Sequence, residues 1–268
     1  MTADTTEQPE RPTDQEILDH IKTIQQEEGI TNAAFVSEKM NFDGLRAEYA
    51  TGLQVFRDKI EHIASTCSAM RTARKDGNCF YRAMSFRYCE LLWEKAGTPW
   101  AEAVWKRAEA STEFVKTGGY DWTIIEDFWD VLKEAMTKKD DPAKLLEDFQ
   151  NGYTSDGIVT WLRIAVAAYL RANREIYEAF ILDSYPTLDE FIKDQVDPIN
   201  VEADQIQITA MANLLGVRIK VANLDPTSTP DGINYHDMEP MDPLPVDDQT
   251  SIVLLYRPGH YDVLYPNA

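Results

Sequence analysis

A polar turn that runs directly into an amphipathic helix, with a cysteine at the junction, constrains this chain more than any other feature. The turn is Asp76 to Asn78 and the cysteine is Cys79. From Phe80 to Leu92, apolar residues recur at the spacing of one buried helical face, and neither Gly nor Pro interrupts them. The positive end of a helix dipole and the free N–H groups of a first turn stabilise a thiolate. The sequence therefore predicts a buried helix with a nucleophilic thiol at its N-terminus.

The turn before the cysteine has the composition of an oxyanion hole. Gly77 has no side chain to oppose a positive φ or the close approach of a substrate. A tight turn through Asn78 can therefore direct consecutive backbone N–H groups at one point. Asp76 only accepts hydrogen bonds when ionised, so we expect it to hold the turn through nearby N–H groups rather than to transfer protons.

A hairpin pattern near the C-terminus supplies a base. Residues 251–256 are an apolar strand candidate, residues 257–259 (Arg-Pro-Gly) have turn chemistry, and residues 260–265 return as a second strand. Because side chains alternate along a strand, His260 and Asp262 project from the same face, and the carboxylate can fix the tautomer of the imidazole. One site must unite this base with a distant nucleophile, which favours one domain over two.

The other cysteines and histidines have structural interpretations. Cys67 and Cys89 are expected to be buried, inert thiols. Three histidines are expected at surface or half-buried positions: His20, His62 and His236. Three cysteines without metal-ligand spacing, a signal peptide or a long apolar run predict a reduced cytoplasmic protein, with the nucleus as a second compartment. We expect no metal, no cofactor and no membrane association.

Charge narrows the class of partner. The 268 residues include 46 acidic and 26 basic ones, a net charge of -20. A nucleic acid needs a basic face, so nucleic-acid binding is not expected. Basic protein partners fit better, although solubility alone also explains the charge.

Helical patterns dominate the chain, and strand patterns come late. The sequence thus predicts an α+β fold, mostly helical, with a small antiparallel sheet. An acidic loop, 225–248, is interpreted as a solvated connection, and the run from 161 to 170 as the buried central helix. The remaining helix predictions are 37–50, 53–70, 99–117, 122–138, 142–150, 157–172, 174–183, 187–195 and 206–215.

The N-terminus divides into three parts. Residues 1–12 are polar with two prolines and are predicted to be disordered. Residues 13–28 begin with a capping box and are predicted to be a helix. Residues 29–268 are predicted to be a single domain. The helix carries an apolar stripe, which by pattern alone would pack on its own domain; the stripe consists of Ile17, Leu18, Ile21 and Ile24.

Two motifs are similar to those of a known family. Residues 76–83 resemble the catalytic cysteine motif of the ovarian-tumour (OTU) deubiquitinases, and residues 256–265 resemble the histidine motif of their otubain branch. Stretches within 154–170 and 196–206 are similar to otubains in the same order. The resemblance covers about residues 13 to 266. It implies a papain-like cysteine protease core with a Cys-His-Asp triad: Cys79 as nucleophile, His260 as general base, Asp262 as orienter, and Asp76, Gly77 and Asn78 in the oxyanion loop.

The resemblance also implies a substrate and partners. The expected reaction is hydrolysis of isopeptide bonds between ubiquitins, with the proteasome-signalling linkage favoured, and the arm 13–28 is expected to bind ubiquitin. An alternative is a protein that binds and inhibits ubiquitin-conjugating enzymes without using its thiol, and one protein can do both. A third interpretation is a cysteine hydrolase that acts on other peptides or on a ubiquitin-like modifier.

Overall fold

The computed structural model describes residues 32–230, 232–244 and 250–267. Ala34–Ala268 form one compact unit, and the remaining unit, Met1–Ala33, lies almost entirely outside the described residues. The predicted tail 1–12 and the predicted arm 13–28, with its stripe from Ile17 to Ile24, are therefore outside the described residues and stay predictions.

Ten α-helices occupy most of the described chain. Two of the short ones continue into other helical turns, a 3₁₀ turn at Glu178–Phe180 and a π turn at Ile192–Val196. The α-helices are α1 Asp43–Glu48, α2 Gln54–Thr66, α3 Cys79–Glu94, α4 Pro99–Thr117, α5 Trp122–Met136, α6 Ala143–Phe149, α7 Gly152–Ala172, α8 Arg174–Tyr177, α9 Leu188–Phe191 and α10 Gln205–Leu215.

Most helix predictions agree with the structure, and the exceptions precede Cys79. The prediction for 99–117 matches α4, whose first turn is capped by Thr98 and begins with Pro99. Residues 37–42 are not helical, and one of them, Met40, forms an isolated bridge with Met70. The helix predicted over 53–70 ends at Thr66, where a strand begins. Local periodicity misassigned these stretches because distant strand partners, invisible in the local pattern, satisfy their backbone groups.

Five strands form one sheet in the order β1-β5-β4-β2-β3. Three of the four neighbouring pairs are antiparallel, but β2 runs parallel to β4. The small, mainly antiparallel sheet is therefore mixed, because β2 enters it from α10 rather than from a hairpin with β4. The strands are β1 Cys67–Arg71, β2 Ile219–Asn223, β3 Asn234–Met238, β4 Ile252–Arg257 and β5 His260–Pro266.

Two strands lie where none was predicted. The first, β1, comes early in the chain and pairs with β5. The second, β3, falls inside the stretch 225–248 that was interpreted as a solvated loop, and it pairs with β2. Four of the five β3 residues are exposed, so the strand has no apolar alternation for the sequence to reveal.

Helix α3 lies at the centre of the unit, which positions the site. It packs against β4 and β5 on one side and against α5, α6 and α7 on the other. Thirteen of its residues are buried, from Cys79 at its first position to Trp93. Helix α7 is likewise buried nearly all round, as predicted. None of the described helices is both long and apolar enough to span a membrane. The α+β class, with helices in the majority, is confirmed.

Candidate active site

Cys79 is the first residue of α3, as predicted, and is 2% exposed. Gly77 adopts φ +77, the left-handed conformation that the turn chemistry required. A Cβ on Gly77 would lie only 2.1 Å from the carbonyl oxygen of Asn200, so the segment around Asn200 covers this turn. Asn200 itself has a positive φ of 70, which is uncommon for a residue with a side chain.

Asp76 holds the turn through hydrogen bonds. Its Oδ1 accepts from the backbone N–H of Asn78 at 3.0 Å, and its Oδ2 accepts from the guanidinium of Arg82 at 2.7 Å. Arg82 is 2% exposed and also donates to Asp156 at 2.7 Å. Asp76 therefore links the turn to the helix that follows it. In this conformation, the Asn78 N–H is already engaged by Asp76.

Arg163 joins the turn to the segment that covers it. It projects from the middle of α7, is 1% exposed, and donates to Asn78 Oδ1 at 2.7 Å and to the carbonyl of Val201 at 2.6 Å. Asn78 and Asn200 exchange two further hydrogen bonds of 2.8 and 3.0 Å. The oxyanion turn is therefore bound on one side by a buried guanidinium and on the other by a neighbouring backbone segment.

His260 and Asp262 lie together at the start of β5. His260 Nε2 is 2.7 Å from Asp262 Oδ1, and both residues are buried. An ionised carboxylate can only accept, so Nε2 carries the proton and Nδ1 is left as the acceptor. Tyr261, between these two residues, contacts the Cys79 thiol through its backbone, so the pair lies beside the N-terminus of α3. Gly259 has φ +76 and follows Pro258, which matches a type II turn before β5.

Burial is the largest influence on the ionisation of the thiol. Desolvation raises the pKa of Cys79 to about 12, a hydrogen bond with the Tyr261 backbone opposes this, and the Asp262 carboxylate raises it further. The expected lowering of this pKa was therefore wrong for the conformation described. The missing element is the imidazole: His260 Nδ1 has no hydrogen-bond partner, so no thiol-to-imidazole hydrogen bond is formed. Catalytic hydrogen bonds commonly tighten only when substrate binds.

A cavity lies beside Tyr261, whose backbone contacts the thiol of Cys79. It has a volume of about 430 Å³ and is lined in part by the carboxylates of Glu202 and Asp204 and by the rings of Tyr256 and Tyr261. Its two carboxylates favour a basic occupant.

The sequence did not predict a role in the site for three arginines: Arg82, Arg163 and Arg257. Arg257 was interpreted only as part of a turn, yet its guanidinium donates to Asp262 Oδ2 at 2.8 Å. The available signal was an arginine within an apolar pattern, since Arg82 and Arg163 lie in helices that are otherwise buried. Long, buried charged side chains need partners, and such partners mark a site.

Cys67, Cys89 and His62 do not line the cavity, whereas His236 does, and His20 lies outside the described residues. Cys67 begins β1 and Cys89 lies within α3; both are buried, and desolvation raises the pKa of each thiol. His62 is half-buried in α2, and His236 is exposed on β3. Within the described part of the chain, no group of three or more acidic, cysteine or histidine side chains is placed to hold a metal ion.

Comparison with known proteins gives one consistent result. The family model described as Peptidase C65 Otubain matches residues 28–266. Ubiquitin thioesterase OTUB1 of Homo sapiens is 35% identical over 256 residues, which cover 94% of this chain and 90% of that protein. The OVARIAN TUMOR DOMAIN-containing deubiquitinating enzyme 1 of Arabidopsis thaliana is 32% identical over 256 residues, covering 90% of this chain and 84% of that protein.

The fold also matches solved structures. The OTUB1 chain in the structure described as h/ceOTUB1-ubiquitin aldehyde-UBC13~Ub superposes with a TM-score of 0.80 at 26% identity, covering 95% of this chain and 99% of that one. A related structure, h/ceOTUB1-ubiquitin aldehyde-UBCH5B~Ub, gives a TM-score of 0.78 at 26% identity, covering 95% and 98%.

Proposed function

This chain belongs to the otubain family of C65 peptidases, and from that premise we infer that it is a deubiquitinating cysteine protease that hydrolyses isopeptide bonds between ubiquitins. One observation carries the inference. A cysteine stands at the first turn of the central helix, and this helix packs against the strand that carries the hydrogen-bonded His260–Asp262 pair, in the fold of proteins named ubiquitin thioesterases.

The reaction follows from the donors and acceptors at the site. His260 Nδ1 first takes the thiol proton of Cys79, and the resulting thiolate attacks the carbonyl carbon of the C-terminal glycine of one ubiquitin. Backbone N–H groups of the turn that leads into Cys79, other than that of Asn78, bind the oxyanion. Protonated His260 then gives its proton to the departing lysine amine. In the second half, His260 removes a proton from water, which attacks the thioester and releases the ubiquitin carboxylate.

Asp262 keeps the imidazole in the tautomer that this sequence needs. Because it accepts from Nε2, the other ring nitrogen is the one available to the thiol. Nδ1 has no partner in the structure, so an approach of Cys79 to this nitrogen would complete the triad without breaking an existing bond of the imidazole. The acidic cavity beside Tyr261 suits an extended, basic peptide leading to the scissile bond.

A second function has its own support. The structures described with UBC13~Ub and UBCH5B~Ub contain otubains bound to ubiquitin-conjugating enzymes that carry ubiquitin. We propose that this chain also binds such enzymes and inhibits ubiquitin transfer. This activity would not need the thiol, and so Cys79→Ser separates it from hydrolysis.

Three further points are proposals. The favoured bond is the proteasome-signalling linkage. The arm at residues 13–28 holds ubiquitin through Ile17, Leu18, Ile21 and Ile24, so a chain lacking this arm should cleave ubiquitin dimers more slowly. The protein is expected in the cytoplasm and the nucleus, which imaging of a fluorescently tagged chain would test.

The decisive experiment incubates wild type and Cys79→Ser with ubiquitin dimers, one for each linkage, and measures released ubiquitin. Cleavage by wild type alone is the expected result. Cys67→Ser is a matched control because it replaces another buried thiol of the same unit outside the site. If pure, folded wild type cleaves no dimer, the hydrolase proposal is wrong. Inhibition of a ubiquitin-conjugating enzyme that persists in Cys79→Ser would then support the binding function.

A further inference from the structure

A chain of charged side chains connects the protein surface to the catalytic imidazole. Glu48, the last residue of α1, accepts from Arg257 Nη1 at 2.6 Å, and Arg257 Nη2 donates to Asp262 Oδ2 at 2.8 Å. Asp262 Oδ1 in turn lies 2.7 Å from His260 Nε2. The side chain of Glu48 is 49% exposed, whereas those of Arg257 and Asp262 are 7% and 0% exposed.

The Asp262 carboxylate is held in one orientation by contacts on both of its oxygens. Oδ1 accepts from His260 and from the backbone N–H of Ala73 at 3.1 Å, while Oδ2 accepts from Arg257. Contacts on both oxygens prevent rotation of the carboxylate about its side-chain torsions. A charged donor also makes the stronger and more directional hydrogen bond.

The charge of Arg257 acts on the carboxylate that holds the catalytic imidazole. Its positive charge competes with the imidazolium for the negative charge of Asp262, and Glu48 partly neutralises that competition from the other side. We propose that Arg257 is a positioning residue of the triad and that Glu48 adjusts its effect, so that this pair sets the pH range over which His260 stays protonated. The inference rests on the proposed function and adds two residues to its machinery.

Other charged and titratable groups surround the pair and stay constant in the test. From the element of Glu48, Tyr49 faces Arg257 and Asp262. The thiol of Cys79 lies at the start of α3, and Asp76 from the turn before it and Glu202 from the segment before α10 both act on that thiol. No substitution proposed below alters any of these groups, so each variant changes one link of the chain at a time.

Substitution of Arg257 and substitution of Glu48 should shift the pH dependence of kcat/KM in opposite directions. Without the guanidinium, the full charge of Asp262 acts on the imidazolium, so Arg257→Gln should move the alkaline limb of the kcat/KM profile upward by about half a pH unit. Without the Glu48 charge, Arg257 draws more strongly on Asp262, so Glu48→Gln should move the same limb downward by a few tenths of a unit, roughly. Arg257→Gln also frees Oδ2 of Asp262, and we expect kcat to fall about tenfold.

Two variants complete the design. Arg257→Lys keeps the positive charge but lacks the planar guanidinium that bonds both Glu48 and Asp262. The alkaline limb of its kcat/KM profile should therefore lie close to that of wild type, while its kcat stays low. Glu61→Gln is the matched control: it removes a carboxylate of an exposed pair, Arg46 Nε to Glu61 Oε1 at 2.7 Å, that is separate from the Glu48–Arg257–Asp262 chain. It should leave the profile unchanged.

The measurement is the pH dependence of kcat/KM on ubiquitin that carries a fluorogenic amide at its C-terminus. A parallel measurement follows the rate of Cys79 alkylation by iodoacetamide against pH, with the modified residue located by mass spectrometry. Alkylation needs no ubiquitin, and it reports the ionisation of the thiol and imidazole as a coupled pair. Opposite shifts for Arg257→Gln and Glu48→Gln in both measurements would support the inference.

Failure of the proposed function and failure of the proposed role for Arg257 and Glu48 give different results. If wild type turns over the substrate but neither variant shifts the alkaline limb, Arg257 and Glu48 have only a structural role and the inference is wrong. If wild type does not turn over the substrate, the proposed function fails, and the alkylation profiles alone decide the inference. If Arg257→Gln does not fold, the surface variant Glu48→Gln decides: an unchanged limb refutes the inference.

Discussion

Replacing Gly77 by Ala tests whether the oxyanion turn is closed by the segment around Asn200. The added Cβ would lie 2.1 Å from the Asn200 carbonyl oxygen, and φ is +77 at this position. Gly97 is the natural control. It has φ +82, yet a Cβ there meets nothing within 4 Å. The two substitutions share the backbone strain and differ only in the collision.

The magnitude follows from the contacts that the collision would break. The left-handed conformation costs an alanine about 1 kcal/mol at either glycine. At Gly77, the covering segment must also move by about 1 Å to restore van der Waals distances. That movement would disrupt the two Asn78–Asn200 hydrogen bonds and the bond from Arg163 to Val201. At about 1 kcal/mol for each bond, Gly77→Ala should be destabilised by about 4 kcal/mol in total.

Thermal unfolding separates the two variants. For a unit of this size, each kcal/mol lowers Tm by about 2–4 °C, so we expect a decrease of about 8–16 °C for Gly77→Ala and about 2–4 °C for Gly97→Ala. A shift of about 1 Å in the turn should also reduce kcat/KM about a hundredfold, whereas Gly97→Ala should keep wild-type activity. Equal decreases in Tm for both variants would refute the reasoning, because they would show that nothing rigid opposes a side chain at residue 77.

Three other predictions concern charge and ionisation. Asp262→Asn should lower kcat/KM on fluorogenic ubiquitin at least about a hundredfold, because the amide no longer holds the imidazole tautomer; near-wild-type activity would exclude Asp262 as the orienter. Burial raises the pKa of Cys79 from 9.0 to about 12, so the stability that the neutral thiol contributes is present below pH 9 and is lost as pH rises toward 12. The advantage of wild type over Cys79→Ser in urea unfolding should therefore shrink by about 1 kcal/mol from about pH 9 to 10, and a constant difference would contradict the burial. The side chain of Lys59 is 1% exposed, and its ammonium lies 2.5 Å from the carboxylate of Asp225. Asp225→Asn removes the ionic partner of this buried charge and should lower the unfolding free energy by about 3 kcal/mol, whereas Lys59→Met should be nearly neutral. Equal losses for the two variants would be inconsistent with a buried ammonium.

Local rules were sufficient where a signal spans several turns of one element. The long helices α3 and α4 and the closing hairpin β4–β5 follow from apolar spacing, a proline at a helix start and a Pro-Gly turn. They failed for β1 and β3, which are short and depend on partners far away in the sequence. They failed also for the parallel pairing of β2 with β4, since no local pattern encodes the direction in which a strand enters a sheet.

For the active site, the sequence by itself determined the candidate nucleophile, base and orienter, because the spacing of a turn, a helix start and alternating strand residues is a local property. It also identified the otubain family, which the comparisons confirmed. Only the tertiary structure decided the protonation of Cys79 and the roles of Arg163 and Arg257. Desolvation depends on everything that surrounds a group, and a buried guanidinium binds whichever acceptors the fold brings to it.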